Sequence, residues 1–190
     1  MSRLPSLHKD DLHDDALSIW ERIARMQSLG VFTEDGGLAG PFNAFLYAPE
    51  IGSRLAELGT ALLTKTSVPR RTMELMVITV GAHWKAEFEW YAHARMARDN
   101  GVDDRIISAI ERGGDPPFDN DDDRVMYTLA RQLVARGRVD DETYQAAERI
   151  VGHRGLVEAI SLCGFYTLIS FVLNGFDVSV PPGEAPVWSG

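Results

Sequence analysis

Residues 67–101 read SVPRRTMELMVITVGAHWKAEFEWYAHARMARDNG. Ser67-Val68-Pro69-Arg70 is a helix start: a capping hydroxyl, then a proline in the first turn, where its missing N–H costs nothing. Met73 to Trp84 continues that helix, and a second helix runs from Phe88 to Asn100 and stops at Gly101. Glu74 is the odd residue of the first helix, set among Met73, Leu75, Met76, Val77 and Ile78. A carboxylate in such surroundings either points outward or is buried with a partner. Periodicity alone puts outward exposure slightly ahead. Burial would raise its pKa and make it a candidate acid or base.

On the second helix Glu89 and His93 stand four apart and share a face, in a stripe with Ala86, Trp90 and Ala97. Pairs at this spacing are commonly solvated. Trp90 argues the other way, because a bulky aromatic in the stripe usually faces a core or pocket. Beside Glu89 the imidazole is held in place and its pKa is raised towards neutrality, which suits a general acid or base. His83 and Glu87 are the only nearby residues that would complete a metal site, and no metal is expected.

Outward from this stretch, helical spacing continues. Asp10 or Asp11 caps a helix through Leu12, Ala16, Ile19, Ile23 and Met26 that ends near Gly30. Phe42 to Tyr47 is a short apolar segment, and Glu50 to Leu63 a further helix. Asp103 caps a short helix ending at Gly113-Gly114, and the acidic cluster at Asp119–Asp123 opens one that runs to Arg136. That cluster starts like a calcium loop but has Arg124 and Ala130 where glycine and glutamate are needed. Asp140-Asp141 opens a helix to Gly152, and the last helix covers Leu156 to Leu173. Val178 to Val180 is the only weak strand candidate. The class is all-α: a single-domain helical bundle over 1–182 with an extended tail at 183–190.

The chain has 190 residues, 45% apolar and 25% charged, with 19 basic against 28 acidic residues and a net charge of −9. That balance excludes non-specific nucleic-acid binding and disfavours anionic membrane surfaces. It leaves room for an anionic small molecule, because local charge can oppose the global balance. The N-terminal region is polar, and Ala159 to Leu173 falls short of a membrane span, so a cytoplasmic protein is expected. The one cysteine, Cys163, lies in an apolar run and reads as a buried small hydrophobe rather than a catalytic thiol.

Arg71 to Ile78, then Phe88-Glu89-Trp90-Tyr91-Ala92-His93, then Gly101-Val102 resemble the carboxymuconolactone decarboxylase-like superfamily, which includes the alkylhydroperoxidase D-type peroxidases. Gly40-Pro41-Phe42-Asn43, Ala48-Pro49-Glu50 and the segment from Leu156 to Phe176 are similar to its longer members. The resemblance implies an all-helical fold and homo-oligomers, commonly trimers or hexamers. In the peroxidase branch it implies a CxxC pair served by a glutamate and a histidine. Glu74 and His93 occupy the latter positions, and the cysteine positions fall on Ala86 and Glu89. Without a thiolate, peroxide chemistry is not expected.

What remains is similar to the decarboxylase branch, whose chemistry needs no cofactor: a carboxylated lactone loses carbon dioxide and an acid reprotonates the carbon. On this resemblance His93 transfers the proton, Glu89 orients it or exchanges the proton, and Glu74, if buried, completes the relay. Arg71 is the candidate anchor for a substrate carboxylate, and Asn43, Trp90 and Tyr166 are candidate pocket walls. The partner expected is a small carboxylated or lactone molecule. The alternatives are a peroxide reductase and a non-catalytic oligomeric binding protein.

Overall fold

The structure is a computed structural model that describes residues 2–25 and 32–188. Its elements, in chain order, are α1 (Asp14–Ala24), α2 (Phe42–Tyr47), α3 (Pro49–Thr64), α4 (Arg70–Trp84), α5 (Glu87–Asp99), α6 (Asp104–Glu111), α7 (Asp121–Arg136) and α8 (Asp141–Gly175). A 3-10 turn at Lys9–Asp11 precedes α1. Among the described residues the only bridge pairing outside helices is an isolated one, Phe32 with Leu38. Val178 to Val180 is not a strand. The expected end of the first helix near Gly30 lies outside the described residues.

The centre of the bundle is α4. Every residue from Met73 to Gly81 is buried, so the helix is enclosed on all sides. It packs against α5, α7 and α8. Met73, Met76, Val77 and Val80 join Met126 and Leu129 of α7 and Leu156, Leu162 and Tyr166 of α8 in one apolar cluster. On another face Leu75 and Ile78 meet Trp90, Ile106, Ile107 and Tyr127. The N-terminal helices form their own layer, with Ile19, Ile23, Phe45 and Leu46 closing on Ile169 and Leu173 of α8. Asn43 pins the segment ahead of α1, accepting from the Leu7 N–H at 3.0 Å and donating to the Pro5 carbonyl at 2.9 Å.

Helix starts largely follow the sequence. Asp103, Asn120 and Asp140 each accept a backbone N–H of their own first turn. Ser67 is the exception. The N-cap of α4 is Pro69, and Ser67 gives both its N–H and its hydroxyl to Glu158 of α8 at 2.7 Å. That tie between elements replaces the expected cap. The two expected C-terminal helices run together as α8, broken at Gly152, whose φ of 68° and ψ of 176° are not helical. By length and composition α8 is apolar enough to cross a membrane. Its inner residues Leu156, Ala159, Leu162, Tyr166, Ile169 and Leu173 are buried in the bundle.

Gly52 sets the distance between α2 and α3. A Cβ there would stand 2.4 Å from the Phe45 carbonyl oxygen, a backbone atom that cannot step aside. Gly52→Ala is therefore expected to destabilise the fold by about 1–3 kcal/mol despite alanine's better helix propensity. A urea unfolding midpoint equal to or above that of the parent would contradict this.

Candidate active site

The α4–α5 hairpin builds the site. It turns at Lys85, which takes a left-handed conformation (φ 49°, ψ 43°) and ends α4. The antiparallel return places the first two turns of α5 beside the middle of α4. Gly81 faces this return helix: a Cβ there would meet the Glu89 side chain at 3.5 Å, an ordinary packing distance.

Glu74, Glu89 and His93 meet inside the protein, 1%, 4% and 8% exposed respectively. The expectation that Glu74 points outward is overturned. Periodicity cannot choose a face for a helix that is enclosed on every side. Glu74 Oε2 lies 2.7 Å from His93 Nδ1, in a hydrogen bond. Glu89 Oε1 lies 3.0 Å from Nε2 on the other side of the ring. Arg70 reaches Glu74 Oε1 at 2.6 Å. The charges therefore alternate along a line, from guanidinium to carboxylate to imidazolium to carboxylate.

Both Oε1 atoms are buried and meet their cations at ion-pair distance, but neither has an aligned hydrogen bond. Buried polar atoms are nearly always hydrogen-bonded, and here the cations at ion-pair distance stand in that place.

Burial alone would push the His93 imidazole down. The Glu89 charge, the hydrogen bond from Glu74 and the remaining carboxylate contacts outweigh it and raise the pKa to about 10. This is well beyond the near-neutral value expected from the Glu89 pair alone, because two carboxylates clamp the ring instead of one. At neutral pH the ring is an imidazolium.

Tyr166 of α8 stands edge-on to the His93 ring, with centroids 4.9 Å apart. Burial, reinforced by the charges of Glu89 and Glu74 and opposed by Arg70, raises its phenol well above the usual range, so it stays protonated.

The other candidates are elsewhere. Arg71 forms an ion pair with buried Asp123 and donates to the Gly101 carbonyl at 3.0 Å, tying α4 to α7. Trp90 packs in the apolar cluster on the far side of α5, edge-on to Trp188 at 5.2 Å. Asn43 holds the N-terminal segment. Arg70 is the site residue that sequence reasoning missed, although its spacing of four from Glu74 is the usual mark of a helical ion pair. Cys163 is buried in α8, and burial pushes its thiol up to about 12. It is not a nucleophile at neutral pH. Among the described residues no group of three or more His, Cys, Asp or Glu side chains has the arrangement of a metal site. Neither of the two principal surface clefts is lined by Glu74, Glu89 or His93.

An all-helical bundle with a buried Glu–His–Glu line on its central hairpin defines the class. Residues 49–132 match the model of the carboxymuconolactone decarboxylase family. No curated protein matches the sequence significantly.

Solved structures share the fold at low identity. An uncharacterized peroxidase-related protein with an alkylhydroperoxidase AhpD core, from Ralstonia eutropha JMP134, superposes with a TM-score of 0.75 at 17% identity, over 96% of this chain and 93% of that one. A peroxidase-related protein from Silicibacter sp. TM1040 gives 0.72 at 16%, over 96% and 92%. A cysteine-to-alanine variant of the debrominase Bmp8, in complex with 2,3,4-tribromopyrrole, gives 0.74 at 12%, over 96% and 95%.

The raised pKa fixes a sign for stability. A folded pKa near 10 above an unfolded value near 6.5 means that the His93 contribution is complete below about pH 6.5. It is lost as the pH rises towards 10. Urea midpoints are expected to fall across this window in the parent and to fall less in His93→Gln. Glu89→Gln, which removes the largest raising contribution, is expected to lower the NMR titration midpoint of His93. An unmoved midpoint would contradict the two-carboxylate clamp.

Proposed function

We propose that the protein is a cofactor-independent acid/base enzyme acting on a small carboxylated or lactone substrate, by decarboxylation or related lyase or isomerase chemistry. The observation that carries this is the buried Glu74–His93–Glu89 line. Burying two carboxylates and an imidazole is costly even when they are paired, so the cluster is better explained by proton transfer than by stability. His93 is the proton store. Glu89, whose Oε1 lacks an aligned hydrogen bond, is the end of the line that exchanges the proton with substrate. Glu74, braced by Arg70, fixes the ring from the other side.

For a decarboxylation, the carbon–carbon bond to the leaving carboxylate breaks, and its electron pair passes into the conjugated lactone. A proton delivered from the His93–Glu89 pair then quenches the carbanion. Tyr166, held as a neutral phenol beside the ring, supplies a donor for the developing negative charge.

The peroxide-reductase alternative is disfavoured by Cys163: a lone, buried thiol with its pKa raised to about 12 has neither a resolving partner nor a thiolate. The debrominase is a neighbour in fold, and the substitution in its solved variant falls on a cysteine, a residue type that this site lacks.

The proposal is tested with a panel of carboxylated lactones, following carbon dioxide release and ultraviolet absorbance. Turnover in the parent, a loss of about 10²–10⁴-fold in His93→Gln with unchanged helical circular dichroism, and full retention in Cys163→Ser are the expected results. Full activity in His93→Gln would sink it.

The same reading includes self-association in a cytoplasmic enzyme. The outer face of α8 carries an apolar stripe through Val157, Ile160, Leu168 and Phe171, of which Val157 is 66% and Phe171 54% exposed. Light scattering is expected to give a multiple of the 21.1 kDa chain mass, reduced in Phe171→Glu. A monomeric parent would remove the oligomer from the proposal.

A further inference from the structure

A cleft of about 440 Å³ lies across the C-terminal end of α4, where α6, α7 and the C-terminal arm converge. It is separate from the Glu–His–Glu line and shares no residue with it. Three cations line it: Lys85 at the end of α4, Arg112 after α6, and Arg131 of α7. None of the three forms an ion pair with a carboxylate among the described residues, whereas Arg22, Arg70, Arg71, Arg95, Arg98 and Arg105 all do. Glu111 is the one carboxylate in the lining, and its backbone carbonyl is taken up by the Trp188 indole at 3.1 Å. Local charge is therefore positive in a chain whose net charge is −9. Unpaired cations gathered in a cleft of an acidic protein focus potential on an anion.

The walls are aromatic and apolar. Tyr127 and Trp188 contribute rings, with Ile110, Val134 and Val187 beside them. The Tyr127 hydroxyl accepts from Arg131 Nη1 at 3.3 Å and keeps its own proton free to donate. Burial holds that phenol above its ordinary pKa against the opposing charge of Arg131, so it stays protonated. His83 also lines the cleft. Burial and then the Arg131 charge lower its pKa, so it adds a neutral ring rather than a charge. Trp188 is placed deliberately: the Val187 and Trp188 N–H groups both donate to the Glu87 carboxylate at 2.7 Å, and Arg95 pairs with Glu184 at 2.6 Å. The arm is thus strapped along α5 so that its indole closes one side of the cleft.

We propose that this cleft binds a small aromatic anion, its carboxylate held by Arg131, Arg112 and Lys85 and its ring packed between Trp188 and Tyr127. The volume suits one ring bearing one or two carboxylates. Guanidinium groups suit a planar carboxylate through paired N–H donors, and ring stacking supplies selectivity for an aromatic body.

The test is a titration of the full chain with phthalate, followed by tryptophan emission and by calorimetry. Succinate, inorganic phosphate and benzyl alcohol are the comparison probes. Expected are saturable phthalate binding in the millimolar range or tighter, an emission change absent from Trp188→Phe, and at least about tenfold weaker binding in Arg131→Gln and in Arg112→Gln. Binding unchanged in His93→Gln separates this cleft from the Glu–His–Glu line. The proposal is overturned by absence of saturation, by phthalate affinity that survives both arginine substitutions, or by its loss in His93→Gln alone. Succinate or phosphate binding as tightly as phthalate overturns it too, since the rings then contribute nothing. Arg112 is exposed, and circular dichroism of Arg112→Gln shows whether a loss is local.

Discussion

Everything about the central hairpin depends on the hydrogen bond that His93 Nδ1–H donates to the Glu74 carboxylate. A carboxylate in the middle of the most enclosed helix of the bundle is intolerable without a partner. That partner must come from another element, and it comes from α5. To deliver it, α4 must end abruptly, which Lys85 achieves with a left-handed backbone. The return helix must lie close, and it packs the Glu89 side chain against α4 at Gly81. Once His93 is in place, Glu89 follows one turn earlier on the same face. The three groups then stabilise one another as ions: two carboxylates favour the imidazolium, and Arg70 balances the second negative charge. Removing any single member leaves an unpaired charge in the core, so the line stands or falls together.

Much of this architecture was legible in the sequence. Pro69, Asp103 and Asp140 mark helix starts because proline and short polar side chains do specific things in a first turn, while the cap of α7 is Asn120, inside the acidic cluster expected to open that helix. The Glu89–His93 pairing is simple helical geometry. Tyr166 stands edge-on to the His93 ring. What failed has physical reasons too. In α4 apolar residues surround Glu74, so no stripe exists from which to infer a direction. Arg71 and Arg70 are adjacent, yet neighbours on a helix point about 100° apart. One salt-bridges Asp123, and the other reaches Glu74. Trp90 sits beside Glu89 in sequence but faces the opposite cluster. Ser67 has the chemistry of a cap and spends it on Glu158. Decisions between competing partners are made by tertiary contacts, which local pattern does not contain.

Charge is distributed on the same principle. Eight arginines of this acidic chain pair with carboxylates among the described residues. The exposed pairs among them contribute little individually, and other cations stand without one. Three of those gather at one end of α4, beside rings supplied by α7 and the C-terminal arm. The arm is therefore more than the extended tail that its composition implied: Glu87 and Arg95 hold it in register, and Trp188 joins the cluster around Trp90.

On the proposed reading, the carboxylate of Glu89, where the superfamily resemblance implies a thiol, decides what chemistry the site runs. In the arrangement that the superfamily resemblance implies, a glutamate and a histidine serve a cysteine, and the product of their work is a thiolate. Glu89 accepts a proton but offers no soft nucleophile and no electron pair for a disulfide. The relay is the same, and its terminus has changed from sulfur to oxygen. Cys163 does not restore the missing function, since its surroundings hold it as a neutral thiol and no second cysteine exists in the chain. On the proposed reading, the work of this line of alternating charges ending in a carboxylate is the controlled exchange of a proton. The two carboxylates that raise the imidazole keep that proton on His93 at neutral pH, so its release requires a substrate that perturbs the clamp, and Glu89 is the member placed to feel it.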